Sequence, residues 1–430
     1  MHLPTQHLTY CLNVHPGESW ADNLLAIQTH ALAIRDRVAP GKPFGLGMRL
    51  SHQAATTLIQ PVIRANFNQF LTDQGLYAFT INGFPYGSFH TKPVKTAVYQ
   101  PDWSTRQRLD YTTTLAHILA DLLPEGLDGS ISTVPLGYKF SPGSNTADSP
   151  SAAMATHLGE CALSLHEILM KSGKEIHIGL EPEPDCLLET TTEVIQYFEK
   201  QLIPQAVPYL VSRLSCDRAE AEAIVRRHIG VCFDTCHLAL QFENLSESLT
   251  RLVRHGIRIS KVQLSSALEV VPTVPARTRL NGFVDPVYLH QVKALSLPSR
   301  QLNHEQPPED GSAGTPRPTQ IQSPIGLIRY ADLDEALASP VTPDHSDSLW
   351  RIHFHVPLYF EGNAPLHSTS NCMDARFWNQ LMGLPIHHLE IETYTFHVLP
   401  PALQADGVVA STVREYEWVT RRLPVSSSGE

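Results

Sequence analysis

The chain has 430 residues, of which 42% are hydrophobic, and its formal net charge is −11 with neutral histidines. This length and apolar content predict a folded protein with a large core, while no stretch approaches the roughly 18 consecutive apolar residues of a membrane span. The acidic balance disfavours binding to duplex nucleic acid, because such binding depends on lysine and arginine side chains that neutralise phosphates.

Two further features of composition bear on the compartment. The first residues lack the basic and apolar regions of a secretory signal peptide, so we expect a cytoplasmic protein. The seven cysteines are an odd, scattered set, which indicates reduced thiols rather than a disulfide framework.

Strand and helix patterns alternate through the first part of the chain. The predicted strands cover residues 8–14, 44–50, 76–81, 130–136, 174–180, 229–234 and 257–264. The predicted helices between and after them run from about 19 to 34, 51 to 71, 103 to 123, through 161–169, and over 190–202, 217–228 and 245–255. This alternation requires parallel strands joined by helical crossovers and predicts a (β/α)8 TIM barrel.

The alternation is interrupted before the end of the chain. Residues 268–348 are rich in proline and predict a long insertion with one helix, Asp285 to Leu295, and a flexible part over 297–323. Strand patterns return at 349–358 and 388–396, and a last helix is predicted from Ala402 to Arg422. These are nine strand candidates for an eight-stranded barrel, so we assign the one at 349–358 to the insertion. We expect one domain over 1–423 and a disordered tail over 424–430.

Several predicted strands end in groups that can bind a metal ion. The residues at these ends are Glu181 and Glu183, Asp234 and His237, Gln263, His353 and His355, and Glu390 and Glu392. Residues two apart in a strand share a face, and the carboxyl ends of all barrel strands meet at one face. Several carboxylates in one buried mouth need a compensating charge, and carboxylate with imidazole suits Zn²⁺ or Mn²⁺.

Each of these residues also has an ordinary structural interpretation. Asp234 can cap a helix, and the pair at His353 and His355 can be a structural pair on a partly exposed strand. Glu183, between two prolines, can be solvated, and one of Glu390 and Glu392 can make only supporting contacts.

Three of these segments resemble a known superfamily. Val231-Cys-Phe-Asp-Thr-Cys-His237 resembles the sixth-strand motif of the endonuclease IV branch of the xylose isomerase-like TIM barrels. Leu180-Glu181 resembles the fifth-strand glutamate of that superfamily, and Glu392-Thr393 its last-strand glutamate. The segments Leu8–Asn13, Asn82–His90 and His353–Pro357 resemble more closely the EboE-type metabolite-traffic proteins, a bacterial family linked to secondary-metabolite precursors.

The resemblance implies a set of site residues. The metal ligands would be Glu181, Asp234, His237, His355 and Glu392, with Glu181 and Glu392 also moving protons. The substrate would contact His15, Arg49, Asn82, Tyr86, His90, Gln263 and His353. The endonuclease branch carries three zinc ions, but here Gln263 stands at the seventh strand and imidazole replaces carboxylate at His353. We therefore expect one divalent ion, or at most two, with Zn²⁺ or Mn²⁺ favoured.

Three functions are compatible with this pattern. The leading one is a metal-dependent isomerase or epimerase acting on a small polyhydroxylated or carbonyl-containing metabolite, in the handling or export of a secondary-metabolite precursor. The second is a metallo-phosphodiesterase of the endonuclease IV type, which the charge disfavours. The third is a non-catalytic carrier that binds a metabolite and other proteins of an export pathway, with the insertion as the contact.

Overall fold

A computed structural model describes residues 6–87, 89–90, 93–140, 152–296, 326–340 and 348–423. The predicted flexible part at 297–323 and the predicted tail at 424–430 lie outside these residues. The strands are β1 (His7–Tyr10), β2 (Phe44–Arg49), β3 (Leu76–Asn82), β4 (Gly129–Thr133), β5 (Ile176–Leu180), β6 (Ile229–Asp234), β7 (Arg258–Leu264), β8 (Leu268–Val270), β9 (Val292–Ser296), β10 (Leu327–Tyr330), β11 (Ser348–Ile352), β12 (Gly362–Asn363), β13 (Leu366–Ser368) and β14 (His388–Ile391).

Eight of these strands form a parallel barrel, which confirms the predicted fold class. The strand order is β1-β14-β7-β6-β5-β4-β3-β2, and every pair is parallel. A parallel bridge between Cys11 and Gly47 joins the end of β1 to β2. The first and last barrel strands are neighbours, with His7 opposite His388. Barrel strands are buried along nearly their whole length, as their continuous apolar runs require.

Helices connect successive barrel strands and cover the outside. They are α1 (Trp20–Ala26), α2 (Leu32–Val38), α3 (His52–Leu58), α4 (Pro61–Asp73), α5 (Arg106–Leu122), α6 (Ala152–Ser172), α7 (Thr191–Tyr197), α8 (Ile203–Leu214), α9 (Arg218–His228), α10 (Thr235–Leu240), α11 (Leu245–Arg254), α12 (Val274–Leu280), α13 (Leu333–Ala338), α14 (Ala375–Gly383), α15 (Pro401–Gln404) and α16 (Gly407–Arg422). Wider π-helical turns at Ile27–Ala31 and Phe198–Leu202 join α1 to α2 and α7 to α8. Side-chain caps start many of them, including capping boxes at Ser19 and Thr190.

Between β7 and β14 the chain forms a second sheet. Its six strands run in the order β10-β9-β11-β8-β13-β12, and all its pairs are antiparallel. The strand candidate at 349–358 was predicted to be extra to the barrel, and it belongs to this second sheet as β11, but β11 ends at Ile352. His353 and His355 therefore lie in the segment between β11 and β12.

The helix predicted from Asp285 to Leu295 is wrong. Val292–Ser296 is strand β9, which pairs with β10 and β11. Asp285 accepts hydrogen bonds from the backbone amides of Val287 and Tyr288, so it closes a turn that does not continue as a helix. The spacing of Tyr288, Val292 and Leu295 fits a helix. In the structure, however, Val292, Lys293 and Ala294 are consecutive buried residues of a strand that is paired on both sides.

Two other expectations concerned reduced cysteine thiols and the lack of a membrane-spanning stretch. All seven cysteines are free thiols. Within the described ranges, none of the helices combines the length and the apolar character that a membrane crossing requires.

Candidate metal centre

The residues predicted at the strand ends converge at the carboxyl end of the barrel. Glu181 directly follows β5, Asp234 is the last residue of β6, and Glu392 directly follows β14. His237 lies in the first turn of α10, which begins immediately after Asp234. His355 reaches the same place from the segment after β11.

Two of the three carboxylates, those of Asp234 and Glu392, accept hydrogen bonds through one oxygen. Asp234 Oδ1 accepts hydrogen bonds from the Ser265 hydroxyl at 2.7 Å and from the His237 amide at 3.0 Å. Glu392 Oε1 accepts from Asn13 Nδ2 at 2.8 Å and Asn82 Nδ2 at 3.0 Å. By contrast, Asp234 Oδ2 and Glu181 Oε2 are buried without a hydrogen-bond donor among the described residues. Buried unpaired carboxylate oxygens are costly unless a cation completes them.

The three histidines are oriented in the same manner. Their Nδ1 atoms face oxygen acceptors: His237 the Pro182 carbonyl at 3.1 Å, and His355 the Glu392 carbonyl at 2.9 Å. A carbonyl cannot donate, so Nδ1 carries the proton and Nε2 has a free lone pair. His353 Nδ1 faces Gln291 Oε1 at 2.7 Å. The Nε2 atoms of His353 and His355 are buried and find no partner within the described part of the chain.

These residues lie close enough to share a metal ion. Within each of four groups, every residue offers one ligand atom, and these atoms are all within 4.8 Å of one another. The groups are Glu181 with Asp234 and Glu392; Asp234 with His237 and His355; Glu183 with His237 and His353; and Cys236 with His353 and His355. Free lone pairs on buried carboxylates and imidazoles fit a divalent cation such as Zn²⁺.

Glu390 serves a different purpose from Glu392. Its Oε2 is 2.5 Å from Lys261 Nζ, and both side chains are fully buried. Its other oxygen fits beside β2 only because position 47 is glycine: a Cβ atom there would lie 2.3 Å from Glu390 Oε1. The ion pair therefore lies inside the barrel, beside the metal-binding groups.

Burial and mutual repulsion disfavour several charges at once. Burial, followed by the charge of Asp234, raises the pKa of Glu181 well above its usual value, and burial with the charge of Glu181 does the same to the pKa of Glu392. Burial opposes the charge of Asp234 too, but the imidazoles of His237 and His355 and the Ser265 hydrogen bond outweigh it, so its pKa is lowered. A bound cation would favour the charged forms of these acids.

Glu183 and the histidines are shifted in the same sense, toward neutrality. Burial raises the pKa of Glu183 to about 8, although the hydrogen bond from Tyr99 opposes the rise. Burial lowers the pKa of His355 to about 4 and the pKa of His353 well below its usual value. Both imidazoles are therefore neutral at pH 7, which is the form that binds metal.

A cavity of about 520 Å³, including its open mouth, adjoins these groups. Its polar lining includes Glu181, Glu183, His237, His353 and Glu392. Among the predicted substrate-contacting residues, Asn82 and His353 line it. The insertion contributes to the wall through Tyr288 and Leu289.

The other predicted substrate contacts lie behind or beside the cavity. Gln263 is fully buried in β7, where its Oε1 accepts from Cys232 Sγ at 2.9 Å. Arg49 Nη1 forms an ion pair with Glu18 Oε2 at 2.8 Å. The remaining three make the following contacts: His15 Nε2 with Tyr10 Oη at 2.9 Å, Tyr86 Oη with Gln107 Nε2 at 2.8 Å, and His90 with the Asn13 carbonyl and Tyr288 Oη at 2.6 Å each.

The structure also places residues at the site that the sequence analysis did not select. Asn13 holds Glu392, Gln291 holds His353, and Tyr99 donates to Glu183 Oε1 at 2.8 Å. Asn13 lies just after β1, which ends at Tyr10. The strand predicted over 8–14 includes Asn13, so the strand-end rule pointed to His15 instead. Gln291 precedes a strand of the second sheet and gives no comparable signal.

Comparisons with known proteins add the following. No family model matches the chain, and no curated protein sequence matches it.

Several solved structures are similar in part. One is a crystal structure of IolI protein with a binding zinc atom, at 10% identity and a TM-score of 0.36, covering 61% of this chain and 73% of that one. A D-tagatose 3-epimerase-like protein matches at 14% identity and a TM-score of 0.36, covering 60% and 76%. An AP endonuclease, family 2, from Brucella melitensis matches at 13% identity and a TM-score of 0.32, covering 60% and 78%. These likenesses concern the barrel architecture alone.

Proposed function

We propose that the protein is a divalent-metal-dependent enzyme that isomerises or epimerises a small metabolite bearing a carbonyl and hydroxyl groups. The observation that carries the proposal is a set of buried ligand atoms without a hydrogen-bond partner among the described residues, on residues that belong to overlapping groups of potential metal ligands. These atoms are Glu181 Oε2, Asp234 Oδ2, His353 Nε2 and His355 Nε2. Glu181, Asp234, His237, His355 and Glu392 would hold one ion, with His353 and Glu183 beside them able to take part in a second. Zn²⁺ and Mn²⁺ suit this donor set.

When bound, the ion would polarise a substrate carbonyl and make the adjacent C–H more acidic. The protein's own groups would move the proton. Glu181 and Glu392 both line the cavity, so each can reach a bound substrate. Asn13 and Asn82 keep Glu392 in one orientation by donating to the same oxygen. Cytoplasmic location and a role in precursor handling or export remain part of this proposal.

The metal part is tested on protein purified without chelators. We expect stoichiometric Zn or Mn by mass spectrometry, and a lower melting temperature in EDTA. Glu181→Gln and Asp234→Asn should lose most of the metal. Glu125→Gln, whose side chain is 97% exposed, is the matched control and should retain it. A metal-free wild-type protein with unchanged melting in EDTA would contradict the proposal.

The catalytic part is tested against the carrier hypothesis. Deuterium exchange from solvent into hydroxycarbonyl compounds reports proton transfer without requiring the physiological substrate. We expect exchange with the metal-loaded wild-type chain and its loss in Glu392→Gln. A chain that binds metal and ligands but exchanges no proton would be a carrier. The size of the cavity, about 520 Å³ with its mouth, supports a small ligand over a DNA duplex. Cleavage of abasic-site DNA, lost in Asp234→Asn, would reverse that preference.

A further inference from the structure

The cavity at the metal centre has an aromatic wall. Phe89, Tyr288 and Tyr394 come from three different segments: the loop after β3, the insertion and the short helix after β14. Their ring centroids are 5.2–5.3 Å apart in all three pairs. Such mutually packed rings present a rigid apolar surface.

The apolar surface extends beyond these three rings. Phe84, Val98 and Leu289 line the same cavity. The hydroxyl of Tyr288 is occupied by His90 Nδ1 at 2.6 Å, so the ring adds no free polar group. A ligand that extends toward these rings therefore meets a mainly apolar surface.

Positive charge for a phosphate is scarce at this wall. Lys95 is the single cation among the described lining residues, and its Nζ is 2.6 Å from Asp332 Oδ2 and 3.3 Å from the Asp285 carbonyl. Arg49 is directed toward Glu18. Tight phosphate sites rely on charge-assisted bonds from several free donors, usually including arginine or lysine. The described residues of this wall do not supply such a set of free, positively charged donors.

From this lining we infer that the substrate is an uncharged hydroxycarbonyl compound with a flat apolar body, and not a sugar phosphate. The inference rests on the proposed function, because the carbonyl and hydroxyl would face the metal-binding residues. The apolar body would pack against Phe89, Tyr288 and Tyr394, in line with the general design of sites that combine an apolar lining with a few polar groups.

Three probes that share one head group test the inference. 2-Hydroxyacetophenone, dihydroxyacetone and dihydroxyacetone phosphate all carry a hydroxyketone, and they differ in a phenyl, a hydroxymethyl or a phosphate-bearing tail. Their dissociation constants are measured by calorimetry on the full metal-loaded chain. We expect the phenyl ketone to bind at least tenfold more tightly than either of the others.

A charge placed in the wall should reverse this order. Val98 is half-buried and lines the cavity, so Val98→Lys should strengthen binding of the phosphate and weaken binding of the phenyl ketone. Val62→Lys, at a position that is 73% exposed on α4, is the control and should leave all three constants unchanged. Tighter binding of the phosphate by the wild type, equal binding of all three probes, or no binding of any at millimolar concentration would overturn the inference.

Failure of this inference is distinguishable from failure of the proposed function. Metal content is measured on the same sample, and binding is repeated on the EDTA-treated chain. A chain without metal that still prefers the phenyl ketone contradicts the proposed function but is consistent with the apolar binding site. A chain with metal that prefers the phosphate contradicts only the apolar substrate.

Discussion

The side chain of Gln291 fixes the ring of His353. Gln291 Oε1 lies 2.7 Å from His353 Nδ1, while its Nε2 donates to the Pro184 carbonyl at 3.2 Å. Because the amide nitrogen is already assigned to a carbonyl, the amide oxygen accepts the imidazole proton. The lone pair is consequently on His353 Nε2, which is buried and has no hydrogen-bond partner among the described residues.

Replacing this amide should weaken metal binding without removing a ligand. We expect Gln291→Leu to lower zinc affinity roughly 10–100-fold, the range typical of lost hydrogen bonds to metal-binding histidines. Competition with a chromophoric chelator measures the constant. Gln53→Leu, at an exposed position of α3, is the control. Unchanged affinity in Gln291→Leu would mean that His353 does not contribute to the ion.

The buried pair of Lys261 and Glu390 should be sensitive to the loss of one partner. Lys261→Met leaves a carboxylate in the barrel without its cation, and we expect a loss of about 3–5 kcal/mol in the free energy of unfolding. Urea titration measures it. The double variant Lys261→Met with Glu390→Gln should recover much of the loss, while Lys171→Met, at an 80% exposed side chain, should have no effect. No recovery in the double variant would show that the lysine acts by packing rather than by charge.

Metal affinity should rise with pH between about 6 and 8. A carboxyl with its pKa raised to about 8, as in Glu183, is mainly protonated at pH 7, so a cation must displace its proton. Because protons compete with the metal ion, metal affinity rises as the proton concentration falls, by up to roughly tenfold per pH unit. His355, with its pKa lowered to about 4, does not compete in this range.

Glu183→Gln separates this effect from other acids in the site. If Glu183 binds the ion, the variant should bind more weakly at pH 8 and show a flatter dependence between pH 6 and 8. Isothermal titration with Mn²⁺ in several buffers also gives the number of protons released. An unaltered slope would assign the displaced proton to Glu181 or Glu392.

Gly47 should not tolerate a side chain. A Cβ atom would lie 2.3 Å from Glu390 Oε1 and 2.7 Å from the Tyr10 carbonyl, and the latter is backbone that cannot rotate away. We expect Gly47→Ala to cost about 1–3 kcal/mol in unfolding free energy. Gly87→Ala, where a Cβ would meet nothing within 4 Å, is the control. Equal stability of the two variants would contradict the tight contact between β2 and Glu390.

The barrel could be predicted from the sequence because its sequence patterns are local and repeated. Each barrel strand is a short apolar run followed by a helix pattern, and polar residues after such runs, such as Glu181 and Asp234, lie together for a geometric reason. The second sheet was largely missed. Its strands are short, Gly362–Asn363 having two residues, and they pair antiparallel between distant segments without a periodic pattern.

The details of the centre depend on contacts that sequence order does not reveal. Gln291 and Tyr288 reach the site from the insertion, so the rule that uses barrel strand ends does not apply to them. Whether Glu390 or Glu392 faces the cavity is decided by Lys261 and Gly47, which are far apart in sequence. Asn13 was missed because the strand predicted over 8–14 included it, whereas β1 ends at Tyr10.

The adjacency of β1 and β14 has a consequence for synthesis and folding. The last barrel strand, His388–Ile391, is also the one that closes the ring against His7–Tyr10 and delivers Glu392. Ring closure therefore joins residues almost four hundred positions apart, the kind of distant pairing that slows folding. Until the ribosome has released residue 392, a nascent chain has an open sheet and an incomplete set of acids. A truncated product that ends before β14 would thus lack both the closed barrel and the full metal-binding group.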